Sequence, residues 1–157
     1  YLHHMNCMNG KRHGSWLVLA LVMAIGLSAC SGAQTVTLSG QDREAVLAYS
    51  EPMTDNLLAG MNEADYARFA RHFDEPMQKA MTEAAFQGIL SSIGAKLGAY
   101  QAREVALVED TGAFIRVTYT ASFANEDGVT VRVVFNDGTP DHLVSGLWFD
   151  SPVLRQK

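Results

Sequence analysis

At 157 residues, 48% hydrophobic and 18% charged, the chain has the composition of one globular domain rather than of a disordered tail or a multi-span membrane protein. It is too short for two ordinary domains. Seventeen acidic side chains against twelve basic ones leave a net charge of -5, which argues against a nucleic-acid partner.

Lys11 and Arg12 precede an uncharged apolar run from Trp16 to Leu27, the order of a positive segment and a hydrophobic segment in an export signal. A helix over that run rises about 18 Å, short of a hydrocarbon core of about 30 Å, so it reads as a signal and not as a span. Leu27-Ser28-Ala29-Cys30 follows. This stretch resembles the lipobox of bacterial lipoproteins, in which a Leu and two small residues precede the modified Cys. The resemblance implies that residues 1–29 are a removed signal peptide and that Cys30 is the site of lipid attachment. An ordinary secretory signal, or an uncleaved anchor helix containing a cysteine, is the competing reading. Two acyl chains anchor stably where one binds only marginally. The expected partner is therefore the lipid bilayer, and the expected location is extracytoplasmic, on the cell membrane or on an outer membrane.

Processing at Cys30 would leave ten basic against seventeen acidic residues, a net charge of -7, and a single cysteine. No intramolecular disulfide is then available, and a packed core must supply the stability. Residues 30–41, rich in Ser, Gly, Gln and Thr, read as a flexible spacer between lipid and domain.

From Asp42 onward Val46, Tyr49, Met53, Leu57 and Met61 recur every three or four residues, widened by Leu47 and Leu58, which predicts a helix kinked or broken at Pro52 and ended by Gly60. Asn62 is expected to cap a short helix carrying Tyr66, Phe69 and Phe73. Asp74-Glu75-Pro76 predicts another helix start. A longer helix from Thr82 is expected to bury Phe86, Ile89, Leu90, Ile93 and Leu97, with Gly98 ending it.

After Gly98 the period becomes two. Tyr100 to Glu109 leads to a turn at Asp110-Thr111-Gly112; Ala113 to Phe123 alternates; Asp127-Gly128 signals a hairpin; Val129 to Phe135 alternates again. A turn over Asn136 to Pro140 precedes a last strand, Leu143 to Phe149. The predicted fold class is α+β, with N-terminal helices packed on one face of a curved four-stranded antiparallel meander.

Helices followed by such a meander resemble the nuclear-transport-factor-2-like, or cystatin-like, superfamily. His72-Phe73-Asp74-Glu75-Pro76-Met77, Leu97-Gly98-Ala99-Tyr100-Gln101 and Val144-Ser145-Gly146-Leu147-Trp148-Phe149 resemble motifs of small exported bacterial and archaeal domains of unknown function. The likeness covers residues 42–152 and leaves 153–157 as a tail; it departs at Gly88 to Leu90, where those domains lead one to expect a Trp. It implies a fold and no activity.

His72 and His142 are the only histidines after Cys30 and belong to no ligand motif, so neither a metal nor a cofactor is expected. No nucleophile elbow or phosphate loop occurs, and no catalytic residue is assigned. Tyr119 has the parity of the apolar strand face, and Asp141, His142 and Asp150 flank the last strand. An isomerase-like site would need such groups to converge in an apolar pocket. Trp148 has the opposite parity to Leu147 and Phe149 and, with Val144, is expected on the other face of the sheet, away from the helices. There it would anchor an envelope protein or a homodimer. The expected role is a membrane-anchored, non-catalytic binding or assembly domain. The alternatives are a pocket lined by Tyr119 for an apolar ligand and an isomerase-like enzyme. Tyr119, His142 and Trp148 are the candidate ligand or partner residues.

Overall fold

The computed structural model describes residues 34–156, so the expected signal peptide, Cys30 and the first residues of the spacer lie outside the described chain. Helix α1 (Gly40–Glu63) is followed by the short helices α2 (Tyr66–Phe69), α3 (Glu75–Ala80) and α4 (Glu83–Ile89), a π-helical turn at Leu90–Gly94, and α5 (Ala95–Leu97). Five antiparallel strands are β1 (Val36–Thr37), β2 (Tyr100–Asp110), β3 (Phe114–Phe123), β4 (Glu126–Asn136) and β5 (Val144–Asp150), and they lie in chain order across one sheet. A short helix α6 (Pro152–Arg155) follows β5.

The class is α+β, but the expectation of four strands was one short. The fifth is Val36–Thr37, from the stretch expected as spacer, paired with Asp110 and Glu109 and secured by the Leu38 N–H donating to the Val108 carbonyl at 2.8 Å. It covers part of the outer edge of β2, whose backbone groups would otherwise be open.

Helix α1 runs unbroken through Pro52 for 24 residues. Pro52 is on the exposed side, so the Ala48 carbonyl that loses its partner there faces water. Gly60 does not end the helix. A Cβ at this position would lie 2.4 Å from the Phe69 amide nitrogen, so glycine is what lets α2 pack against α1. The helix stops at Ala64, with φ of +54°, and Asp65, not Asn62, caps α2 by accepting the Arg68 N–H. Asp74 and Thr82 cap α3 and α4 as their sequence contexts predict, accepting the N–H groups of Met77 and Ala85.

The core lies between α1 and the concave face of the sheet, where Leu57, Leu58, Phe69, Phe73, Phe86 and Leu97 meet Val117, Tyr119, Val131, Val133 and Phe135. Two irregularities change the strand reading. Asp127-Gly128 is a bulge inside β4, with φ of +74° at Gly128, and not the hairpin turn. The turn is at Ala124-Asn125, whose N–H groups donate to the Ala99 and Leu97 carbonyls at 2.8 Å each. In β5, Phe135 faces Val144 while Val134 faces Gly146, so Ser145 is an extra residue. Val144 therefore turns into the core and is fully buried, against the expected parity, while Trp148 stays on the outer face.

Two glycines of the helical layer should respond in opposite senses. Gly60→Ala is expected to cost about 3 kcal/mol through overpacking against Phe69. Gly88→Ala, in α4 with nothing within 4 Å of an added Cβ, should gain about 0.5–1 kcal/mol from helix propensity. Urea unfolding curves with unchanged m-values measure both.

Candidate functional site

The concave face is not uniformly apolar. Ser50 and Thr54 lie fully buried on the stripe of α1 that faces the sheet, and opposite them β2 and β3 present Arg103 and Tyr119. Tyr119 is fully buried, its hydroxyl 3.2 Å from Thr54 Oγ1. The Arg103 side chain, 7% exposed, donates to Glu51 Oε2 at 3.1 Å, to Asp55 Oδ1 at 2.6 Å and to the Tyr100 hydroxyl at 3.2 Å. Its guanidinium carbon is 5.1 Å from the centroid of the Tyr119 ring, a cation–π distance. Glu51 and Asp55 are four residues apart, one helical turn, so one face of α1 brings both carboxylates to one guanidinium.

Burial by itself would lower the Arg103 pKa, but the hydrogen bonds it donates to Asp55 and Tyr100 and the charge of Glu51 outweigh it, and the pKa is raised. Burial is the main cause raising the Tyr119 phenol. Arg103 Nε and Glu51 Oε1 are both buried without a hydrogen-bond partner among the described residues. The cluster was missed at the sequence level. The signal available was an arginine at a core-facing position of a strand, together with an acidic pair one turn apart on the facing helix.

Beside the cluster, at the C-terminal end of α1, lies an apolar pocket of about 280 Å³. Met61, Leu90, Ile93, Tyr100 and Phe123 form its walls, with Asn62 at one side. The Asn62 side chain accepts the Tyr100 N–H at 2.9 Å and donates to the Tyr100 carbonyl at 2.8 Å, so both its polar atoms are committed to the backbone. Tyr100 belongs to both sites: its ring lines the pocket and meets Phe123 edge-on at 5.8 Å, while its hydroxyl accepts from Arg103.

The three candidate residues are not brought together. Tyr119 is in the core and does not line this pocket; its surroundings are Thr54 and Arg103, where the alternative reading of a pocket for an apolar ligand needs open space. His142, with φ of +45°, lies in the loop before β5 and stacks on Tyr49 with ring centroids 4.3 Å apart. Its Nδ1 is 3.6 Å from Asp137 Oδ1, too far for a hydrogen bond. Tyr49 also meets Phe135 edge-on; burial, with Asp137 and Asp110 nearby, pushes its phenol up to about 12. Asp150 is held by Arg155 of α6 through contacts of 2.8 and 3.0 Å, which lower its pKa. Trp148 is 55% exposed on the convex face, opposite Arg132 of β4.

Removing both carboxylates, Glu51→Ala with Asp55→Ala, leaves a buried guanidinium without an ionic partner and should cost about 3–5 kcal/mol. Asp55→Asn alone should cost under about 1 kcal/mol, because that carboxylate is well exposed. Denaturant titration at neutral pH distinguishes these. The two raised phenols set the alkaline limit. Above pH 10 an unfolded tyrosine ionises while Tyr49 and Tyr119 stay protonated in the fold, so stability present below pH 10 is lost as pH rises through about 12. Unfolding free energies between pH 8 and 12 should fall accordingly, and less steeply in Tyr49→Phe.

No curated protein and no solved structure matches the chain. The profile of one family, described as proteins of unknown function (DUF3887), matches residues 54–139, more than half of the chain. That stretch holds Thr54, Asp55, Arg103, Tyr119 and every wall of the apolar pocket, and it stops before His142 and Trp148. The chain belongs to this family of proteins of unknown function.

Proposed function

We propose that the chain is a lipid-anchored lipoprotein of the cell envelope, whose single domain, of nuclear-transport-factor-2-like fold, is a non-catalytic binding or assembly module. The anchor is read from Leu27-Ser28-Ala29-Cys30 behind an apolar run too short to span a bilayer. The order of helices followed by an antiparallel meander supports the fold assignment. Arg103 and Tyr119, two polar side chains on the core face of the sheet, are engaged with α1 and are not presented to a substrate.

The observation that carries the binding role is the seating of Trp148. Its indole lies over Gly146, where an added Cβ would come within 2.3 Å of the ring. A glycine in a strand interior costs stability, and here it leaves the room in which the indole of an exposed Trp lies against the strand. A pre-positioned Trp of this kind loses little rotamer freedom on docking, which is the property of an interface anchor. Leu107 and Thr118 share its cross-strand row through Arg132, so the surface around it is mixed apolar and polar like an interface rim. The partner is an envelope protein or a second copy of the chain.

Expressed with its signal, the wild type should carry the mass of diacylglyceryl and partition into membranes, and Cys30→Ser should lose both. In the anchored protein, Trp148→Ala should lower association with the partner or copy bound at this face by at least about thirtyfold, the loss expected when a 2 kcal/mol anchor is truncated. A soluble, unmodified wild type would remove the anchor; a Trp148 variant that associates as the wild type does would remove the docking face.

A further inference from the structure

The pocket at the end of α1 is unrelated to the Trp148 face, and three of its features point to a ligand. Its walls are Met61, Leu90, Ile93, Tyr100 and Phe123, none of them charged, and the Asn62 side chain at its edge is tied through both its oxygen and its nitrogen to the Tyr100 backbone. A charged ligand would lose its hydration there without gaining an ionic partner. The volume of about 280 Å³ exceeds the roughly 150 Å³ of an apolar cavity that takes up benzene. It lies at the lower edge of the small-molecule range of about 300–1,000 Å³. A cavity of this size is far too small to supply the roughly 800 Å² per partner of a specific protein interface.

The third feature is the wall formed by Leu90–Gly94. This turn is π-helical, a local widening that recurs at functional sites. Its wider spacing gives up the regular backbone bonds, and the Ser91 and Ser92 hydroxyls both donate to the Gly88 carbonyl at 2.9 Å instead. Gly88 and Gly94 bracket the turn, and neither is needed for packing, since an added Cβ would meet nothing within 4 Å. Two unneeded glycines around a widened turn make a wall that shifts at low cost. The opposite wall is rigid: Tyr100 is fixed by Asn62 at its backbone and by Arg103 at its hydroxyl.

We infer that this pocket is a binding site for an uncharged apolar small molecule, a hydrocarbon chain or a single substituted ring, held between the π-helical wall and the fixed Tyr100. Recognition is by shape and exclusion of water, with no hydrogen bond required. The site is independent of the lipid anchor and of the docking face.

An uncharged alkyl alcohol carrying a diazirine tests it on the full-length chain, in whichever fraction the protein accumulates. After illumination and tryptic digestion, label is expected in residues 80–96, which contain Leu90 and Ile93, and in residues 97–103, which contain Tyr100. An excess of the same alcohol without the diazirine should suppress it. Ala99→Trp, placed at an exposed wall position, fills the pocket and should lower that labelling about tenfold, the effect of about 1.4 kcal/mol of steric cost. Ile93→Glu, which leaves the tryptic peptides unchanged, gives the same reading if the tryptophan variant fails to fold, as judged by circular dichroism. Label in residues 80–96 that no competitor suppresses means bulk partitioning and overturns the site. Label confined to residues 133–155, which contain Trp148, overturns it too, as do folded variants that label like the wild type. None of these results bears on whether Cys30 is lipidated.

Discussion

A guanidinium taken out of water must be met by opposite charge wherever the fold places it, because an unpaired buried ion costs several kcal/mol. Arg103, on the core face of β2, is in that position, and its partners Glu51 and Asp55 both come from α1. Sliding the helix by one turn, about 5.4 Å, would leave Arg103 one carboxylate in place of two, because Glu51 and Asp55 are themselves one turn apart. The axial position of α1 on the sheet therefore follows from polar contacts, while the apolar stripe of Val46, Leu57, Leu58 and Met61 supplies most of the adhesion without choosing a register. The far end of the helix is placed as a consequence. Met61 and Asn62 arrive beside Tyr100, and the apolar pocket exists because they do.

The sheet settles a second matter, which side chains face the helices. Each bulge inserts a residue and reverses parity beyond it. In β5 the extra Ser145 sends Val144 inward while Trp148 remains outward, and the Ser145 hydroxyl donates to the Asp74 carboxylate that also caps α3. The backbone around Val144 is tied to His72 and Asp74 by bonds of 2.7 and 3.0 Å. The bulge thus fastens the end of the sheet to the helical layer, and the outward Trp148 is a product of the same local geometry.

Much of the fold was legible in the sequence. The change of period at Gly98 separates helices from strands, the caps at Asp74 and Thr82 follow from short polar side chains ahead of helix formers, and Gly98 takes the positive φ its position calls for. What failed has a common cause. Local propensity alone makes Gly60 a helix stop, Asn62 a helix cap and Gly128 a turn residue. The first is required by contact with Phe69, the second is committed to Tyr100, and the third forms a bulge because the hairpin turn is bonded to Leu97 and Ala99. Each partner is distant or belongs to another element, and local preference of about 1 kcal/mol yields to such contacts. The same holds for the site. Tyr119 lies on the expected face, but its neighbours there, Thr54 and Arg103, belong to other elements and no local pattern announces them.

By itself, the sequence determined the α+β class, the succession of helices and then the four long strands after Gly98, the faces of Trp148 and Tyr119, and the expectation of a lipid-attached Cys30, since all of these depend on periodicity or on contiguous residues. Only the tertiary structure decided which polar side chains share the core, where the open volume lies and how the strands change parity. Those outcomes depend on pairs such as Arg103 with Glu51, separated by 52 positions, whose meeting is fixed by packing the helix on the sheet and is invisible to any local pattern.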